Sequence, residues 1–111
     1  MFSHAAHPVI VHAATTELGA DYPGYAVTRL YEELGADGVF MFCKGCGADI
    51  NGFPLASGDE NAAGAGRKLA ESVLQARSRS QEISADTFAV VESSIALPCE
   101  DIPPPLMCSI D

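Results

Sequence analysis

Val39-Phe40-Met41-Phe42-Cys43, running into Lys44-Gly45-Cys46-Gly47-Ala48-Asp49-Ile50-Asn51-Gly52, is the stretch that decides the fold of this chain. Five consecutive apolar residues between Gly38 and a glycine-rich loop predict a parallel strand covered on both faces, the central strand of a sheet. A strand that ends in a loop carrying one carboxylate and one amide is where α/β proteins keep their chemistry.

Working outward, Ala26, Val27, Leu30, Tyr31 and Leu34 fall at helical spacing. They predict a helix over 21–34, with Asp21 available as a cap, Pro23 in the first turn and Gly35 just past the end. A second helix is expected from about Asp59 to Ala76, with Leu69, Ala70, Val73 and Leu74 inward and Arg67, Lys68, Glu71, Ser72 and Gln75 toward water. Asp59 and Glu60 suit the positive end of its dipole. Before the first helix, the β-branched run Pro8 to Ala14 reads as a strand, which the preceding histidines could join. After the second, Thr87 to Val91 and Ser94 to Leu97 read as one longer or bent strand.

The order is β-α-β-α-β, and crossovers of this length demand a mainly parallel sheet. The expected fold class is therefore α/β: a small sheet of three or four strands with two main helices, part of a larger sandwich. Residues 1–98 form that partial domain, and 99–111, with Pro103-Pro104-Pro105, form a proline-rich C-terminal tail.

At 111 residues the chain is one domain at most. Fifteen acidic residues against six basic ones give a net charge of −9, which argues against nucleic acid as a partner and leaves no basic patch for anionic lipid. No apolar run approaches the length of a membrane span, and the first residues lack a signal-peptide pattern, so the expected location is cytoplasmic if Met1 is the true start. In that setting Cys43, Cys46, Cys99 and Cys108 read as free thiols.

The loop offers several chemistries. Cys43-Lys44-Gly45-Cys46 has thioredoxin-like spacing, but the residues after it cannot start the helix whose dipole would activate the first thiol. Cys99 and Cys108 fit no common zinc finger or ribbon as a second pair. Gly45-Cys46-Gly47 begins like a dinucleotide fingerprint without the helix that must follow. His4 and His7, three positions apart in an extended segment, point to opposite faces, so one of them at most looks into a given site.

Four ordered motifs go further. Ser3-His4-Ala5-Ala6-His7-Pro8-Val9, Gly19-Ala20-Asp21-Tyr22-Pro23-Gly24-Tyr25-Ala26, Phe40 to Asn51, and Ala65-Gly66-Arg67-Lys68-Leu69-Ala70 together resemble the neutral/alkaline non-lysosomal ceramidase family, especially its bacterial ceramidase-like branch. The resemblance runs from about His4 to Pro105 and implies a slice from the middle of a longer catalytic domain.

It further implies a hydrolase of sphingolipid metabolism that cleaves the amide bond of ceramide or a related N-acyl lipid with bound zinc. His7 stands at the position of one zinc ligand, with His4 beside it as the second metal candidate. Ala48-Asp49-Ile50-Asn51-Gly52 stands where the family carries Gly-Asp-x-Ser-Pro or, in the bacterial branch, Gly-Asp-Ile-Asn-Pro. An amide is no nucleophile, so Asn51 cannot form an acyl intermediate, but it can hydrogen-bond a developing oxyanion while a zinc-activated water attacks. Asp49 would orient a neighbour, act on a proton, or accept backbone N–H groups within its own loop. One histidine does not make a catalytic zinc site, so the chain alone is expected to be inactive, or to need an oligomer or a complementing chain. The alternative is a non-catalytic α/β module that kept the fold for binding or assembly. The expected architecture puts His7 and the Asp49–Asn51 loop at the same edge of the sheet, and the hydrolase reading requires them to converge on a common pocket.

Overall fold

A computed structural model describes residues 1–11, 18–84 and 87–98. The chain divides into two units, Met1–Gln81 and Glu82–Asp111. The first is a small α/β fold in the order β1 (Phe2–His4), α1 (Asp21–Leu34), β2 (Phe42–Lys44), α2 (Asp59–Ser78).

β1 and β2 pair in parallel, Phe2 with Phe42, Ser3 with Cys43 and His4 with Lys44. The pairing continues irregularly beyond the strands. His7 N–H donates to Ile50 O (2.8 Å), Gly52 N–H to His7 O (3.2 Å) and Ser57 N–H to Ile10 O (2.7 Å). The whole amino-terminal segment thus lies along the chain that leaves β2.

This corrects the expectation of a strand over 8–14. The strand forms earlier, at Phe2–His4, and 8–11 is irregular, while 12–14 lie outside the described residues. Pro8 has no N–H for a ladder, and the His7 carbonyl accepts instead from Val9 N–H (3.0 Å) and from Gly52. Composition favoured the valine and isoleucine, but the position of the partner strand decided.

β2 is likewise not a central strand. Alternate residues Phe40 and Phe42 pack toward the helices, whereas Val39 and Met41 are 79% and 55% exposed. Among the described residues two strands form, not three: 87–98 contains no strand, and Phe88 and Val91 are about nine-tenths exposed. Extended chain becomes a strand only when a neighbour completes its hydrogen-bond ladder, which hydrophobic alternation by itself does not supply. The expected tail 99–111 lies outside the described residues.

The helices came out close to expectation, α1 at 21–34 and α2 from 59 to 78 instead of 76. They pack through positions four apart on each. Ala62, Gly66 and Ala70 of α2 are buried against Tyr22, Ala26 and Leu30 of α1. Rows at this spacing form the ridges of a helix surface, and with alanine and glycine on one of them the two backbones come close.

Gly35 ends α1, its N–H bonded to Tyr31 O at 3.0 Å. The start of α1 differs from expectation. Ala20 is the N-cap, with no side-chain capping bond, and Asp21 is already the first helical residue. No helix among the described residues is long and apolar enough to cross a membrane.

Candidate functional site

Asp21 is one of the two built features of the fold. Its backbone sits at φ 52°, in the left-handed region that Asp tolerates better than most residues. From there its buried carboxylate accepts Val11 N–H at 2.7 Å and Tyr22 N–H at 2.6 Å. A charge at the positive end of α1 therefore clamps the amino-terminal segment onto the helix.

Tyr22 makes the second tie, its hydroxyl donating to Ala6 O at 2.7 Å. Burial, and then the neighbouring Asp21 charge, raise the Tyr22 pKa above 10.0. Above that pH the unfolded chain holds fewer protons than the folded one, so stability is full below pH 10.0 and falls as pH rises through the folded value. Tyr25, raised chiefly by its hydrogen bond to Asp59, adds an effect of the same sign. Tyr22→Phe should cost about 1 kcal/mol at neutral pH through the lost hydrogen bond. It should also flatten the alkaline loss of stability, and urea unfolding across the alkaline range measures both; an unchanged alkaline slope would refute the assignment.

The second feature is an open cavity of about 530 Å³ between the amino-terminal segment, the loop after β2 and α2. Ala6, Ile10, Ile50, Phe53 and Leu69 give it an apolar wall, and Ser3, His4, Asn51, Lys68 and Ser72 supply polar groups. This size and this mixture are those of small-ligand pockets.

His4 enters the cavity beside Tyr22, the two rings edge to face at 5.9 Å, and Tyr22 in turn meets Phe42 at 6.0 Å. Asn51 is brought there by the isolated parallel bridge between His7 and Asn51. His7 and the loop around residue 50 therefore do share one edge of the sheet, through their backbones.

The side chains separate what the backbones join. His7 does not line the cavity; Lys44 Nζ lies 3.0 Å from its Nδ1 and 3.1 Å from its Nε2. Asp49 is an exposed central residue of the turn closed by Ile50 N–H to Gly47 O (3.2 Å), and it too lies off the cavity lining. Of the four site residues expected from sequence, His4 and Asn51 line one cavity, while the side chains of His7, although its backbone bridges to Asn51, and of Asp49 lie off it.

The glycine at position 52 has a use. Its N–H donates to His7 O, which no proline could do, and a β-carbon there would lie 2.7 Å from Ile10 Cγ1.

Among the described residues no three His, Cys, Asp or Glu side chains come together where a metal could be held. His7 already faces the Lys44 ammonium, a poor neighbour for a second cation. Cys43 and Cys46 are free thiols, half-buried and exposed respectively, and a turn, not a helix, follows them. Cys99 and Cys108 lie outside the described residues.

Lys68 and Ser72 are exposed, as expected, but the sequence reading did not place them on the cavity that they also line. A signal was present. Ala65, Lys68, Leu69 and Ser72 fall at i, i+3, i+4 and i+7, one side of α2 bordering its buried stripe.

Comparison with protein-family models, with curated proteins and with solved structures finds no match to this chain.

Proposed function

We propose that the chain is a ceramidase-like α/β segment whose cavity holds an N-acyl amide lipid, binding it without turning it over on its own. The observation that carries this reading is the presence of Asn51 and His4 on the same cavity as the apolar side chains Ile10, Leu69 and Phe53. A carboxamide offers both a donor and an acceptor, the complement of the C=O and N–H of an acyl amide. The apolar wall suits the acyl chain. Asn51, at the position that would carry a nucleophile, has no nucleophilic atom.

Calorimetric titration with N-decanoyl ethanolamine, kept below its micelle concentration, tests the proposal. Saturable one-to-one binding is expected, weakened about tenfold by Asn51→Ala through a lost hydrogen bond and again by Leu69→Ala through lost apolar contact. No binding, or an affinity indifferent to both substitutions, would overturn it.

The second reading, a zinc amidohydrolase completed by another chain or by further sequence, draws on the uncovered apolar residues Val39 and Met41 of the β2 segment. A strand in a longer domain would bury them. Zinc-dependent release of decanoate from the same probe would favour hydrolysis, and binding without release would favour the holding role.

A further inference from the structure

The charge on the cavity is the reverse of the charge on the chain. The sequence holds 15 acidic residues against six basic ones, yet no carboxylate lines the cavity and one of the six cations, Lys68, does. Ion pairs are scarce on this chain: among the described residues only Arg29 forms them. Arg29 is paired with Glu32 and with Glu33, and Lys44 lies against His7. Lys68 forms no ion pair among the described residues.

Its setting is also amphipathic. Leu69, the next residue, belongs to the apolar wall, and Ser72, one turn on, lines the same cavity while donating its hydroxyl to Lys68 O at 3.0 Å. Ser3 and His4 complete the polar lining from β1.

From this we infer that the cavity selects acyl amides that carry a carboxylate, of the N-acyl amino acid type, with Lys68 receiving the carboxylate. The inference rests on the acyl-amide reading above and adds the charge of the ligand. An acidic protein repels anionic amphiphiles over most of its surface, so a single cation without a competing carboxylate beside an apolar wall is where such a ligand gains most. Asn51 addresses the amide, Lys68 the carboxylate and Leu69 the chain.

Three probes of equal chain length separate the contributions: N-decanoyl glycine has amide and carboxylate, N-decanoyl ethanolamine the amide alone, and decanoate the carboxylate alone. The glycine conjugate should bind about fivefold more tightly than the ethanolamide at low salt, as one partly exposed ion pair allows, and the ratio should shrink in high salt. Decanoate should bind more weakly than the glycine conjugate, since it lacks the amide. Lys68→Gln should bring the ratio to about one and Lys68→Glu should invert it, whereas Arg67→Gln, off the cavity, should leave the wild-type ratio. Lys68 is exposed on α2, and far-ultraviolet circular dichroism verifies that its variants are folded. Equal binding of glycine conjugate and ethanolamide by the wild type, or a preference that survives in folded Lys68→Gln, would overturn the inference and leave the acyl-amide reading standing. Decanoate binding as tightly as the glycine conjugate would overturn the amino acid assignment in favour of free fatty acid. Failure of all three probes to bind would remove both readings.

Discussion

Gly66→Ala should lower the stability of the Met1–Gln81 unit by about 2 kcal/mol, although alanine is the better helix former. A β-carbon at position 66 would stand 2.7 Å from Tyr22 O and 2.9 Å from Ala26 N, and closer still to Tyr25 Cβ. Two of these are backbone atoms of α1, so no side chain can turn aside, and the helices must separate along the row where Ala26, Leu30, Ala62 and Ala70 are fully buried. Separation loosens every contact on that row at once, and the cost exceeds the roughly 1 kcal/mol of helix propensity gained.

Gly64→Ala is the control within the same helix. There a β-carbon meets only Arg67 Nη2 at 3.9 Å, so the propensity gain stands alone and stability should rise by up to about 1 kcal/mol. Urea unfolding followed by circular dichroism reads both. Opposite signs are expected, and equal effects would show that the helices do not approach as closely as described.

Asp21→Ala should cost about 3 kcal/mol, the second large effect. Alanine leaves the N–H groups of Val11 and Tyr22 without their acceptor and places a β-carbon residue at φ 52° with no polar side chain to compensate. Two further substitutions apportion the loss. Asp21→Asn keeps the backbone preference but offers one oxygen where two accept, whereas Asp21→Gly relieves the backbone and removes both bonds. The asparagine variant should be the most stable of the three and alanine the least. If glycine restored wild-type stability, the backbone and not the carboxylate would be the reason for aspartate at this position. The same clamp holds Ile10, and through it one wall of the cavity, so Asp21→Ala should also weaken acyl-amide binding.

How far the fold was legible depends on how local its causes are. The bounds of α1 follow from apolar side chains at helical spacing and from Gly35, and the observed helix covers the expected 21–34 with Asp21 as its first residue instead of its cap. α2 starts where Asp59 predicts and runs two residues further than expected. The strands were legible as a type and not as positions. Phe2–His4 contains no β-branched residue and forms a strand because Phe42–Lys44 lies beside it, while 87–98, richer in valine and isoleucine, forms none.

The site divides along the same line. Asn51 and the two histidines could be singled out from the sequence, and the convergence of the amino-terminal segment with the loop around residue 50 is present in the backbone. Which histidine lines the cavity could not be read, because that depends on the face each takes where the chain leaves β1 between His4 and His7, and on Lys44 lying against His7. The role of Lys68 was hidden for another reason: it is exposed as expected, and that it borders a cavity depends on the amino-terminal segment and the loop after β2, which come from distant parts of the sequence.

By itself the sequence determined the two helices, the α/β order, the acidic surface and the candidate loop, since each follows from side-chain spacing or from charge summed along the chain. Only the tertiary structure decided which segment pairs as β1, that Asp21 clamps Val11, that Gly66 lets the helices meet, and that His4, Asn51 and Lys68 share one cavity. Those contacts join residues far apart in the chain, and their energies exist only once the backbone has closed the distance.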